Sequence, residues 1–161
     1  MLRMNPIVLG LAVGALVAAG CGSPYVNIPA QVGDVATHNP NDRNVRGALT
    51  AALEAVLDQQ AIDGPVAVSL PEGSSPLTHT DVAQRLGDQA ISTFEEGAEP
   101  LPIVAAQEVR IRGVTAEVDV VCPSPSGRDQ LMTAYLRWEP LSGWRVRRIR
   151  TWQGDWQSPR G

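Results

Sequence analysis

The chain has 161 residues, a formal net charge of −4 and no lysine, all 13 basic residues being arginine. Its two cysteines, Cys21 and Cys122, and two histidines, His38 and His79, are scattered. That excludes a disulfide framework of the small secreted kind and leaves no His/Cys/Asp cluster with the spacing of a metal site.

The first predicted element is an address. Arg3 precedes an unbroken apolar run from Pro6 to Ala19, interrupted only by glycines, and small residues then lead to Cys21. This is the order of a secretory signal peptide over residues 1–20. The run has 14 residues, short of the roughly 20 that span a bilayer as a helix. The stretch Val17-Ala18-Ala19-Gly20-Cys21 resembles the lipobox of bacterial lipoproteins, with Ala18 where that family prefers leucine. The resemblance implies a diacylglycerol on the Cys21 thiol, cleavage just before it, and acylation (palmitate) of the new amino terminus. It implies a lipid-anchored protein of the bacterial cell envelope. Gly22, where an aspartate would retain the protein at the inner membrane, points to the outer membrane, facing the periplasm. The competing reading is an ordinary signal peptide with a chance cysteine after it. With Cys21 acylated, Cys122 has no partner for an internal disulfide, and 141 residues remain, enough for one domain with a core.

Residues 21–41 hold Gly, Pro and Asn without a sustained period and read as the lipidated N-terminus and tether, although Tyr25, Val26 and Ile28 could form a short docked strand. Residues 42–152 read as the single domain and 153–161 as a C-terminal tail. Helix one is predicted from Asn44 to Gln60, capped by Asp42, with Val45, Leu49, Ala52, Leu53, Val56 and Leu57 on one face. Pro65 to Leu70 reads as a short strand. Helix two is expected to start with Thr78 as N-cap, Asp81 as its capping-box partner, and Leu77 stapled to Val82.

Four strand-like runs follow, 103–112, 114–122, 131–139 and 144–152, with short turns around Gly113, Pro123 to Gly127, and Pro140 to Gly143. Alternation places Val118, Val120 and Cys122 on one face with Met132, Ala134 and Leu136. Glu117, Asp119, Tyr135 and Arg137 fall on the other. Ile149 breaks parity with Val146, which a bulge at Arg147-Arg148 would restore. A tight turn at Gly113 pairs Arg112 with Thr115 and so Arg110 with Glu117. Pairing Cys122 with Met132 would set Glu117 opposite Arg137.

The expected fold is α+β, with two helices packed on one face of a curved four-stranded antiparallel meander. The order of elements and Gly143-Trp144-Arg145-Val146 resemble NTF2-like and cystatin-like domains, families that include enzymes, binding modules and scaffolds.

Charge is uneven along the chain. Residues 21–108 carry Arg43, Arg46 and Arg85 against 12 acids, and residues 109–161 carry nine arginines against five. Either the halves neutralise each other by packing, or the basic half meets an anionic partner. The stretch that suits such a partner is Arg145, Arg147, Arg148, Arg150, Trp152 and Trp156, because arginine forks fit phosphate and carboxylate and Arg and Trp dominate binding hot spots. The bland alternative is a solvated sheet face. Trp138 and Trp144 are expected in the core. Cys122 reads as a buried thiol, His79 as a helix-start residue and His38 as part of the tether.

No catalytic constellation, cofactor motif or metal site is evident. The function these residues favour is a non-catalytic binding or interaction module held to the membrane by its lipid, with an anionic envelope polymer or a protein as partner and no nucleic acid. The alternative is a small NTF2-like enzyme or ligand carrier with its site between helices and sheet, where Gln107, sharing parity with Val109 and Ile111, would point inward. A third is a scaffold that dimerises through its sheet.

Overall fold

A computed structural model describes residues 25–33, 38–124 and 128–152. Strand β1 (Tyr25–Ile28) precedes helix α1 (Arg43–Gln60), strand β2 (Val66–Ser69), helix α2 (Pro76–Leu86) and strand β3 (Ala90–Ser92). Strands β4 (Ile103–Arg112), β5 (Thr115–Pro123), β6 (Asp129–Glu139) and β7 (Gly143–Thr151) complete the order. Together they form one seven-stranded sheet, ordered β3-β2-β4-β5-β6-β7, with β1 also paired to β4.

This corrects the expected four-stranded antiparallel meander. The sheet is mixed: β2 runs parallel to both β3 and β4, while β4 to β7 and the β1–β4 pair are antiparallel. One edge of the ten-residue β4 is shared. β2 covers Ile103 to Ala105 and β1 covers Val109 to Arg112. Between them the register on β5 shifts from Ala106 to Glu108, so the faces change parity there. β2 is buried on both faces at Val66, Ala67 and Val68, as parallel strands usually are.

Helix α1 begins where Asp42 accepts the Asn44 N–H at 2.8 Å, satisfying one of the open donors of its first turn. Val45, Leu49, Leu53 and Val56 are buried and lie on the core face with Val109, Ile111, Val118, Val120 and Met132. Among the described residues no helix is long and apolar enough to cross a membrane.

Helix α2 starts earlier than predicted. Ser75 is its N-cap and Pro76 fills the first turn, where a missing N–H costs nothing. Thr78 is occupied otherwise: its hydroxyl donates to Asn41 Oδ1 at 2.7 Å, and the same oxygen accepts the Ser75 N–H at 2.8 Å. Leu77 is exposed while Val82 is buried, so no staple forms between them. Asp81 is not a capping-box partner either. It bridges the two helices through Arg46 at 2.7 Å and pairs with Arg85 at 3.2 Å.

The hairpin registers differ in how closely they follow the sequence. Arg112 pairs with Thr115, Arg110 with Glu117 and Val109 with Val118, as the tight turn at Gly113 requires. In the next hairpin Cys122 faces Gln130, and Glu117 faces Tyr135 instead of Arg137. The strands continue through Pro123 and Asp129, so the register sits two residues from the expected one. Alternation cannot detect that slip, because it keeps every side chain on its face. In β7 the parity break resolves as a bulge at Arg147: Tyr135 faces Arg148 and Leu136 faces Val146.

Candidate functional site

The face of the sheet turned away from the helices carries the charged residues of β4 to β7. Cross-strand pairing arranges them in rows. One row runs Tyr25, Arg112, Thr115, Arg137, Arg145. The next runs Asn27, Arg110, Glu117, Tyr135, Arg148, and a third runs Glu108, Asp119, Thr133, Arg150.

The rows divide into two electrostatic halves. On β4 and β5, Arg110 contacts Glu108 at 2.7 Å, Asp119 at 3.0 Å and Glu117 at 3.2 Å. Burial opposes its charge, but the hydrogen bonds and charges of Asp119 and Glu108 outweigh this and hold the guanidinium above its ordinary range. This cluster is acidic, with three carboxylates gathered on one guanidinium. On β6 and β7, by contrast, Arg137, Arg145, Arg148 and Arg150 are exposed and make no ion pair among the described residues. Arg137 and Arg145 stand directly opposite each other, an arrangement that disfavours the sheet. The nearby carboxylate is Glu139. The Ser142 hydroxyl, then Arg147, Arg145 and Arg137, hold it below its usual range.

Aromatic rings shape this basic half. The Arg148 guanidinium lies 4.2 Å from the Tyr135 ring centre and that of Arg150 lies 3.7 Å from Trp152, both in cation–π range. Trp152 is itself fixed: its Nε1 donates to Thr133 Oγ1 at 2.9 Å, and that hydroxyl donates to Asp119 Oδ1 at 2.5 Å. Both guanidinium groups are thus held over rings, which leaves them N–H donors to offer an anion.

Of the residues expected to form a binding edge, Arg145, Arg148, Arg150 and Trp152 come together here. Arg147 does not: it is the bulged residue and is ion-paired with Glu139. Trp156 lies outside the described residues, as do Cys21 and the whole of residues 1–20. Arg137 and Tyr135 belong to the patch and were missed as site residues, although strand parity already placed both on the outer face. The signal was present, because a meander sets β6 beside β7 and so puts both residues next to the arginines of β7.

Among the described residues the interior holds no comparable arrangement. Gln107, expected to point inward, is half-buried at the register shift of β4. Cys122 is fully buried, its thiol pushed up to about 11 by burial and by the charge of Asp129, which keeps it protonated and unreactive. His79 is buried with its ring edge-on to Phe94 at 4.7 Å. Burial lowers its pKa, and a backbone hydrogen bond with Val68 counters part of that. Trp144 is buried, whereas Trp138, expected beside it in the core, is 41% exposed at the end of β6. Among the described residues no group of three or more His, Cys, Asp or Glu side chains is placed to hold a metal ion.

Comparisons with protein-family models, with curated proteins and with solved structures found no match to this chain.

Proposed function

We propose that this chain is a non-catalytic binding module of the bacterial cell envelope, anchored through lipid on Cys21, that holds an anionic envelope polymer on the β6–β7 half of its outer sheet face. The observation that carries the proposal is the set Arg137, Arg145, Arg148 and Arg150, which are neighbours in register, exposed, and without an ion pair among the described residues. The other half of the same face places three carboxylates around one arginine. A merely solvated face has no reason to segregate its charges in this way. Stacking on Tyr135 and Trp152 restricts Arg148 and Arg150 before any ligand arrives, which lowers the entropy lost on binding. Arginine forks match both phosphate and carboxylate groups.

The test is binding of the purified chain to polyphosphate and to polygalacturonate, as phosphate-bearing and carboxylate-bearing probes. The Arg148→Glu/Arg150→Glu variant is expected to lose about tenfold or more in affinity with little change in melting temperature. A wild-type chain that binds neither polymer, or a variant that binds as well as wild type, overturns the proposal. The anchor has its own readout: the Cys21→Ser chain is recovered from cells without detergent, and the wild-type chain is not.

A further inference from the structure

Resting on the reading of Cys21 as the lipid attachment site, we infer that the turn end of the sheet lies directly on an anionic lipid surface. Three residues, Gly22 to Pro24, lie between Cys21 and Tyr25, a four-step span of at most about 14 Å even when fully extended. The tether expected over residues 21–41 is therefore cut short at β1, which is docked on β4 along its whole length. An acylated Cys21 would hold this end of the domain, and no other, against the bilayer.

What gathers at this end suits that surface. The row that starts at Tyr25 continues through Arg112 and Thr115 to Arg137 and Arg145, about 20 Å across five strands. Beside it are the two hairpin turns. Val114 lies in the first and Leu141 in the second, and the Trp138 N–H donates to the Val114 carbonyl at 2.8 Å. Tyr25 is 52% exposed, Val114 53%, Trp138 41% and Leu141 fully exposed. Tyrosine and tryptophan favour the membrane–water interface, and apolar turn tips can enter the headgroup layer. Arg112, Arg137 and Arg145 supply charge that anionic headgroups attract. Of the acids at this end among the described residues, Glu139 is already held by Arg147 and Ser142 and Asp42 caps α1 beside Asn44. In the anchored chain Arg137 and Arg145 therefore face headgroups, and the polymer of the proposed function is held by Arg148 and Arg150, one and two rows further up.

The test uses the full chain, isolated from a bacterial host and reconstituted into phosphatidylglycerol vesicles containing brominated lipid. An apolar fluorophore replaces the side chain at Leu141→Cys, at the turn end, or at Ile103→Cys, at the far end of β4; buried Cys122 stays unlabelled. Intact mass reports acylation of Cys21 separately. The expected result is an acylated chain quenched strongly at position 141 and little at 103, with quenching at 141 falling when phosphatidylcholine replaces the anionic lipid or salt is raised. An acylated chain quenched equally weakly at both positions, or equally in neutral lipid, overturns the docking and leaves the anchor standing. A chain without acyl groups overturns the anchor, and the docking with it, because the four-step span is its premise.

Discussion

The indole Nε1 of Trp144 donates to both the backbone carbonyl and the side-chain oxygen of Asn44, at 3.1 and 2.9 Å, tying the start of β7 to the first turn of α1. Gly47 lies one turn further along, and a Cβ there would meet Trp144 Cδ1 at 3.3 Å. Glycine inside a helix costs about 1 kcal/mol relative to alanine. Here it admits a ring that two hydrogen bonds prevent from moving aside. Gly47→Ala is therefore expected to be neutral or destabilising in the wild type and to stabilise by about 0.5–1 kcal/mol in a Trp144→Leu background. Urea denaturation of the four proteins measures this, and an equal gain in both backgrounds would show that the ring yields.

Arg110 holds Glu108, Glu117 and Asp119 together on the outer face. Arg110→Met removes the common partner and leaves three carboxylates in mutual repulsion. The variant is expected to lose about 1–3 kcal/mol of stability, between the values typical of exposed and of buried pairs. Raised salt should restore part of the loss by screening the acids. A loss that salt does not touch would point to packing of the arginine stem.

His79 gives the stability a pH dependence of definite sign. Burial depresses its pKa below the ordinary 6.5, so the folded chain keeps the ring neutral where the unfolded chain has begun to take a proton. Its contribution is full above the unfolded value of 6.5 and declines as the pH falls from there towards the folded value. In paired titrations of wild type and His79→Leu, carboxylate effects common to both cancel. The stability difference is expected to move against the wild type as the pH is lowered through this window. Parallel curves would show that the buried ring takes its proton at no cost.

Helix α1 ends on Ala61 at φ 45° and ψ 48°, a left-handed conformation that disfavours a side chain. Its N–H still closes the helix on the Leu57 carbonyl at 3.1 Å. Ala61→Gly keeps that bond and removes the strain, and is expected to raise stability by about 0.5–1 kcal/mol after the entropy gained by the unfolded chain. Thermal melting is sufficient to see it.

Features set by contacts close in the chain could be read before any coordinates. Asp42 caps α1, its apolar stripe is buried, Gly113 sets the Arg112–Thr115 register, and the bulge at Arg147 follows from the parity of Val146 and Ile149. Each depends on helix period, strand alternation or a turn of a few residues. The arginine patch was half legible for the same reason: Arg145, Arg148, Arg150 and Trp152 are close along the chain, whereas Arg137 and Tyr135 join them through β6–β7 pairing.

Tertiary structure alone placed the three short strands. Strands β1, β2 and β3 have three or four residues each, too few to encode a partner, and the backbone groups they offer are the same for any neighbour. Their places come from the edge of β4 that remained open and from the apolar side chains that could be buried there. The offset of β6 on β5 was open for a related reason, since alternation fixes register only to within two residues. The division of the outer face into an acidic half and an arginine half depends on cross-strand neighbours 7 to 22 residues apart in the chain. Charge along a sequence is one-dimensional, and the field that a partner meets is set by the sheet.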